Sequence, residues 1–436
     1  MRSYPAYKDS GVEWLGEVPE GWETRRFKTF LREREERSNT GAEVLLSVSA
    51  YTGVTPRAEG LDAGEFLSRA ESLEGYKVCH AGDLVMNIML AWNRAQGITQ
   101  YDGIVSPAYA VFSCDKTVDP GFLNYLVRSD NYCLYFKAFS AGVIDSRLRL
   151  YPEQFGTLSC IFPPLPEQRA IAAFLDRETA KIDGLIEEQR RLIALLAEKR
   201  QATISHAVTR GLNPSARLKP SGVDWLGDIP EGWEVVPIRH LCQILRGKFT
   251  HRPRNDPAFY DGEYPFIQTG DITSASRYIR SYKQTLNERG ASVSKQFPAG
   301  TLVMAIAANL GDVAVLTFDA FFPDSIVGLV PGEKVRLGYL YYLMIALKPA
   351  LLNSATMSTQ LNINADQIAA IVAVRPPVED QDAISAYLDG ALSQLDTLTE
   401  TATTAIALLQ ERRAALISAA VTGKIDVRDL APAQAA

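Results

Sequence analysis

The chain of 436 residues is 47% hydrophobic and 9% aromatic, enough for two or more globular domains and too apolar for a disordered polymer. Its 45 basic and 51 acidic residues leave a net charge of −6, which excludes a polycation that coats nucleic acid but not a binder with local positive groups. Five scattered cysteines without a C-x-x-C pair argue against a zinc or dithiol site, and with no apolar run near membrane-spanning length and no signal-peptide pattern, a cytoplasmic protein is expected, without a membrane partner.

The first element is SGVEWLGEVPEGWE (10–23), which returns as SGVDWLGDIPEGWE at 221–234. Behind the first copy, EVLLSVSAY (43–51), AGDLVMNIMLAWNRAQGI (81–98) and AVFSC (110–114) contain short strand-like runs between turn signals, and GFLNYLVRS (121–129) reads as a helix. PPLPEQRAIAAFLDRETAKID (163–183) differs in kind. Ile171, Leu175, Ile182, Leu185, Leu192 and Leu196 recur at helical spacings and fall on one stripe. A helix of roughly 35 residues, about 50 Å long, is predicted, ending near EKRQATISHAVTRGL (198–212).

The second copy repeats the order. YPFIQTGDIT (264–273) and TLVMAIAA (301–308) are predicted strands, and GYLYYLMIAL (338–347) a helix. PPVEDQDAISAYLDGALSQLD (376–396) and ERRAALISAAVTGKI (411–425) answer the earlier segments at a displacement of 213 positions, with Ile384, Leu388, Leu395, Leu398 and Leu409 as the second stripe. A similar, variable, similar pattern that cycles twice is a duplicated unit. The predicted boundaries are a variable domain at 1–162, a helix at 163–212, a second domain at 213–375, a second helix at 376–426 and a flexible tail at 427–436. The segments 1–165, 166–212, 213–375 and 376–436 carry net charges of −4, +1, +2 and −5. Each helix either packs on its own domain or, burying a stripe neither can bury alone, on the other helix. Trp14, Trp22, Trp225 and Trp233 are read as anchors in the cores rather than base-stacking groups.

Catalytic signatures are missing. The sequence has no G-x-x-x-x-G-K-[ST] loop, G-x-G-x-x-G, G-x-S-x-G or H-E-x-x-H, and its Pro-Pro pairs lack the amide or acid of an amino-methyltransferase. What remains suits nucleic-acid recognition. The first domain offers Ser49, Tyr51, Thr55 and Arg57 near a strand end, with Asn93 and Arg94 in AWNRAQG. The second offers Lys248, His251, Arg252 and Arg254 in RGKFTHRPRND, Gln268, Thr269 and Asp271 in IQTGDIT, and Asn309 in AANLG. Each group alone is weak; their recurrence at matching places in two diverged domains is the stronger signal.

The paired WLGEVPEGWE and WLGDIPEGWE, the two Pro-Pro helix starts, the helix ends AVTRGL and AVTGKI, and YPFIQTGDI together resemble the specificity subunits of type I restriction-modification systems, over nearly the whole chain. The resemblance implies an α+β fold, with two duplicated α/β target recognition domains separated by two long antiparallel helices forming a coiled coil. It also implies a chain that is not itself an enzyme, reads a bipartite, asymmetric target in double-stranded DNA, and docks two modification subunits and the restriction subunits. S-adenosylmethionine, ATP and Mg would then belong to the partner subunits, with no cofactor on this chain. One departure is the loss in EDQDAISAYL of the residue matching Arg169. The alternative from another class is a duplicated coiled-coil adaptor that binds proteins.

Overall fold

A computed structural model of the chain describes residues 2–57, 72–357 and 361–430. They form two compact units, Met1–Arg190 with Thr403–Ala436, and Arg191–Ala402. Each holds one variable domain and one half of each long helix.

In the first unit the central sheet is antiparallel, in the order Leu31–Glu33, Tyr109–Cys114, Leu84–Asn87, Gln96–Ile98. Leu84, Val85 and Met86 are buried on both faces, so this run is continuously apolar instead of alternating. The predicted helix is Pro120–Arg128, followed at once by another at Asp130–Ala138. Start and end of the domain are zipped together, Glu23–Arg26 pairing antiparallel with Ser159–Phe162.

The second unit repeats this plan. Cys242–Arg246, Ile326–Pro331, Leu302–Ala305 and Val313–Leu316 form the sheet, extended by Tyr278–Ile279 in parallel, and Glu234–Pro237 pairs with Val372–Arg375. The predicted helix is Leu337–Ala346. The strand expected across 264–273 stops at Phe266. Beyond it Gln268 and Asp271 make a reciprocal capping box that starts a short helix, Thr269–Ser274.

The long helices run Leu165–Arg210 and Val378–Val421. At 46 and 44 residues they are about 69 and 66 Å long, beyond the predicted 50 Å, because each begins beside its Pro-Pro and continues almost to its terminal glycine. Buried Gln168 explains why these starts carry a glutamine. Its Nε2 donates to Pro163 O (2.8 Å) and Thr117 O (3.3 Å), and its Oε1 accepts from Asp119 N (2.8 Å). Gln381, 213 positions on, repeats the set with Pro376 O, Lys334 O and Arg336 N.

Within each unit the two helices are antiparallel neighbours. Arg413 donates to Asp183 in the first unit, and Arg200 to Asp396 in the second. These ion pairs correspond under the 213-residue displacement. Ile171, Leu175, Ile182, Leu196, Ile384, Leu388 and Leu395 are buried and Leu409 is half-buried. Leu185, Leu192 and Leu398 are corrections: they are 46%, 40% and 50% exposed, and Ile186 and Leu392 take buried places instead. An α-helix turns every 3.6 residues, so a step of three falls short of a full turn and leaves the buried face.

The repeated opening segment receives a helix end. Gly423, at φ +72°, follows the second helix and lies under Pro19 and Trp22, where a Cβ would come within 2.5 Å of Pro19 Cδ. Gly211, also at φ +72°, follows the first helix, its Cβ position 3.1 Å from Trp233. A left-handed glycine is the usual helix stop, and here it also lets the tryptophan approach. Trp22 and Trp233 are buried; Trp14 packs on Tyr132 and Tyr135, and Trp225 donates to Val372 O, as anchors should. The acid at each helix start ties the opening segment down: Glu167 accepts from Tyr4 OH, and Asp380 accepts from Trp233 Nε1 at 2.9 Å. The tail expected to be flexible from 427 is corrected at its first residues. Val427 is fully buried and Arg428 bonds Asp426, whereas 431–436 lie outside the described residues.

Candidate nucleic-acid interface

In the first domain the hairpin Leu46–Ser49 and Gly53–Pro56 carries Tyr51 at its tip, 94% exposed. The tip is held from below by Arg128, the last residue of the Pro120–Arg128 helix. Its Nη1 donates to Arg94 O (2.8 Å) and Gln96 O (2.6 Å), with a longer approach to Ser49 O (3.4 Å). Its Nη2 donates to Ala50 O (3.0 Å) and Tyr51 O (3.1 Å). Five carbonyls from two loops thus converge on one guanidinium whose described partners include no carboxylate; burial pushes its pKa below the ordinary arginine value. Gly53, at φ +74°, lies 3.4 Å from Nη1 when given a Cβ, so the turn and the clamp fit together.

The clamp brings Ser49, Tyr51, Asn93 and Arg94 to one edge. Arg94 sits in a left-handed turn, exposed and paired with Asp130. Thr55 and Arg57 are not part of this edge: Thr55 pairs with Ser47 along the hairpin, and Arg57 N donates to Leu45 O beyond its open end. Arg128 itself was not anticipated, since nothing in the sequence distinguishes it from any other helix-terminal arginine.

In the second domain Asp324 gathers the basic loop. Its carboxylate pairs with Arg252 and Arg254, and its backbone O accepts from Arg246 Nε at 3.0 Å. Arg252 also donates to Phe249 O and His251 O, so both arginines are held in place while staying exposed. Lys248 is exposed and makes no side-chain bond among the described residues. His251 is turned inward, stacked on Phe259 at 4.0 Å and bonded to Asp256 at 3.1 Å. Asn309 donates to Thr273 Oγ1 (2.7 Å), which donates to Asp312, drawing the AANLG loop against the short helix that begins at Thr269.

Two expected reading groups are corrected. Asp271 is 6% exposed and accepts from Gln268 N at 2.8 Å, so capping the helix consumes it. Gln268 spends its amide on Gln284 Oε1 at 2.8 Å. The short helix replaces the open strand end, and Gln-x-x-Asp is the signal that could have shown it.

Among the described residues no group of three or more His, Cys, Asp or Glu side chains could hold a metal ion, and no helix is long and apolar enough to cross a membrane. All five cysteines are free, and burial pushes the thiols of Cys79, Cys114 and Cys242 up to about 12, where thiolate chemistry is suppressed.

The sequence model of the type I restriction modification DNA specificity domain matches residues 230–408. The type I restriction enzyme MjaVIII specificity subunit of Methanocaldococcus jannaschii is 21% identical over 440 residues, covering 95% of this chain and 95% of its own. A solved chain from a study of assembly and conformational transition of a type I R-M system has a TM-score of 0.68 at 20% identity, over 94% of this chain and 99% of its own. The HsdS subunit from Thermoanaerobacter tengcongensis has a TM-score of 0.56 at 19% identity, over 94% and 98%. At such identities the structural likeness speaks for the fold, which is mixed helix and sheet with duplicated domains and two long helices. The adaptor alternative finds no support in these relatives. Duplicated frame, matching domain and relatives agree in one direction: residues 230–408 match the type I restriction modification DNA specificity domain, and nearly the whole chain is similar to specificity subunits of type I restriction-modification systems.

Proposed function

We propose that the chain reads a bipartite, asymmetric target in double-stranded DNA, one half-site per variable domain, and docks the modification and restriction subunits without catalysing a reaction itself. The observation that carries this reading is the contrast between constant frame and variable rim. Gln168 and Gln381 hold identical joints, whereas Tyr51 over Arg128 in one domain and Arg252 with Arg254 over Asp324 in the other offer different chemistry. Different rims select different bases, because arginine suits guanine or phosphate and small polar groups suit other edges. S-adenosylmethionine, ATP and Mg act, on this reading, on the partner subunits.

Two modification subunits are favoured by a second duplication. Leu185 corresponds to Leu398 and Leu195 to Leu408 at the 213-residue displacement, and all four are 46–60% exposed. Each unit presents one leucine from each helix, both on the same side of its Asp–Arg pair along the axis. Equivalent apolar patches suit two copies of one partner.

The test is methylation mapping of DNA from cells carrying the chain with its modification subunit. Arg252→Gln with Arg254→Gln should relax or abolish one half of the motif and Tyr51→Ala should affect only the other. A motif untouched by all three changes would overturn the assignment of reading groups.

A further inference from the structure

The rim of the first domain has another element, which none of the reading groups above includes. Ala141 and Arg149 exchange two backbone hydrogen bonds, both 2.9 Å, and close a hairpin-like loop whose turn contains a 3₁₀ segment, Asp145–Arg147. Gly142 is required there: at φ +148° a Cβ would stand 2.6 Å from Arg147 O. Leu148 and Leu150 point inward, with 8% and 0% exposure, and anchor the loop's return. Its tip does the opposite. Val143 is 99% exposed and Ile144 52%.

The loop is fixed beside the groups already placed at the rim. Leu150 N donates to Ile88 O at 2.8 Å, just after the strand that leads into the Asn93 and Arg94 turn. Lys137 Nζ bonds Asp145 at 2.8 Å and lies 4.9 Å from the centre of the Trp92 ring, joining the loop to that turn. The second domain has a strand pair in the equivalent place. Thr356–Met357 pairs with Leu361–Asn362, and Ile363 N donates to Ile306 O at 3.2 Å, 213 positions after Leu150.

Charge selects the occupant. Arg147 and Arg149 follow the tip on the returning arm of the loop, both exposed, and neither side chain makes an ion pair or hydrogen bond among the described residues. A segment of net charge −4 that places two such arginines beside two bare β-branched side chains is complementary to a phosphate backbone and a groove wall. Apolar side chains beside phosphate-binding cations are the means by which proteins press on base steps or contact thymine methyls.

We infer that the Ala141–Arg149 loop is a DNA-contacting element of the first recognition domain, Arg147 and Arg149 holding phosphates while Val143 and Ile144 lie against the bases. The inference rests on the DNA-reading assignment and extends it to residues outside the clamp. It is tested in the full complex of the chain with its modification subunit, using a duplex that carries the methylation motif of the wild-type complex. Arg147→Gln with Arg149→Gln is expected to lower the slope of log affinity against log salt by about 1.8, or ~0.9 per lost phosphate contact, leaving the motif intact. Val143→Ser with Ile144→Ser is expected to cost roughly tenfold or more in discrimination at one or more positions of the first half-site. The second half-site and the melting temperature serve as controls for folding. Unchanged slope and motif in both variants would overturn the inference, as would loss of the modification subunit with retained DNA contacts, because the loop would then be a protein-docking site. A wild-type complex that binds no DNA would instead remove the underlying reading.

Discussion

Replacing Arg128 by methionine keeps most of the side chain's volume and removes every donor. Five carbonyls would lose this donor: those of Ser49, Ala50 and Tyr51 in one loop and of Arg94 and Gln96 in the other, of which Arg94 O keeps Gln96 N at 2.8 Å. A hydrogen bond from a charged donor is worth about 1.5–3 kcal/mol, but these five share one guanidinium, and carbonyls near the surface regain water. Removing the charge also relieves its desolvation. A net loss of ~2–4 kcal/mol in the order of the two loops is therefore expected, well short of the sum of five bonds. Because apparent affinity falls with the fraction of molecules holding the competent conformation, a loss of ~3 kcal/mol permits a weakening of up to about a hundredfold. Methylation mapping and equilibrium binding of the complex should show the first half-site degenerate and the second unchanged. Lysine, which keeps the charge but cannot span both loops, should restore only part of the effect. If the methionine variant kept both half-sites and full affinity, Arg128 would be a structural arginine and the clamp would have no part in reading.

Leu185→Ser with Leu408→Ser should release one modification subunit of two, seen as a mass change in native mass spectrometry, whereas the same change at Leu398 and Leu195 should release the other. Removing seven residues from each long helix, about 10 Å at 1.5 Å per residue, should shorten the unread spacer of the methylation motif by about three base pairs or abolish activity, and an unchanged spacer would refute a ruler role. The junction at Asp426 should be pH-sensitive. Hydrogen bonds from Arg428 are the largest cause holding its carboxyl below the usual 3.8, so the stabilisation is complete above that value and is lost as pH falls through the lowered one. Hydrogen exchange around residues 424–427 should accelerate only in strong acid, and Asp426→Asn should remove that dependence.

The duplicated frame was legible because it repeats. Trp22 and Trp233, the Pro-Pro pairs and the terminal glycines recur at nearly constant displacement, and a repeat survives any uncertainty about a single segment. The stripe was legible in outline and wrong in detail, since Leu185 and Ile186 are adjacent apolar residues and only the accumulated 3.6-residue turn decides which one is buried. At the rim, composition identified the right loops but not the commitments within them. Asp271 reads as a base-edge group and is a helix cap; His251 reads as one of the DNA-binding groups of the basic loop and stacks on Phe259. Arg128 could not be found at all, because its role consists of long-range backbone contacts that leave no pattern in the neighbouring residues.

Arg2 and Asp426 form a backbone bridge, with Asp426 N donating to Arg2 O at 2.8 Å. The helix end and opening segment that meet there in the first unit are joined covalently in the second, through residues 212–220. One of two equivalent joints is therefore a peptide and the other a fold contact. What a peptide link enforces in one unit, a pair of backbone groups reproduces in the other, so the joint between helix end and opening segment does not depend on chain continuity.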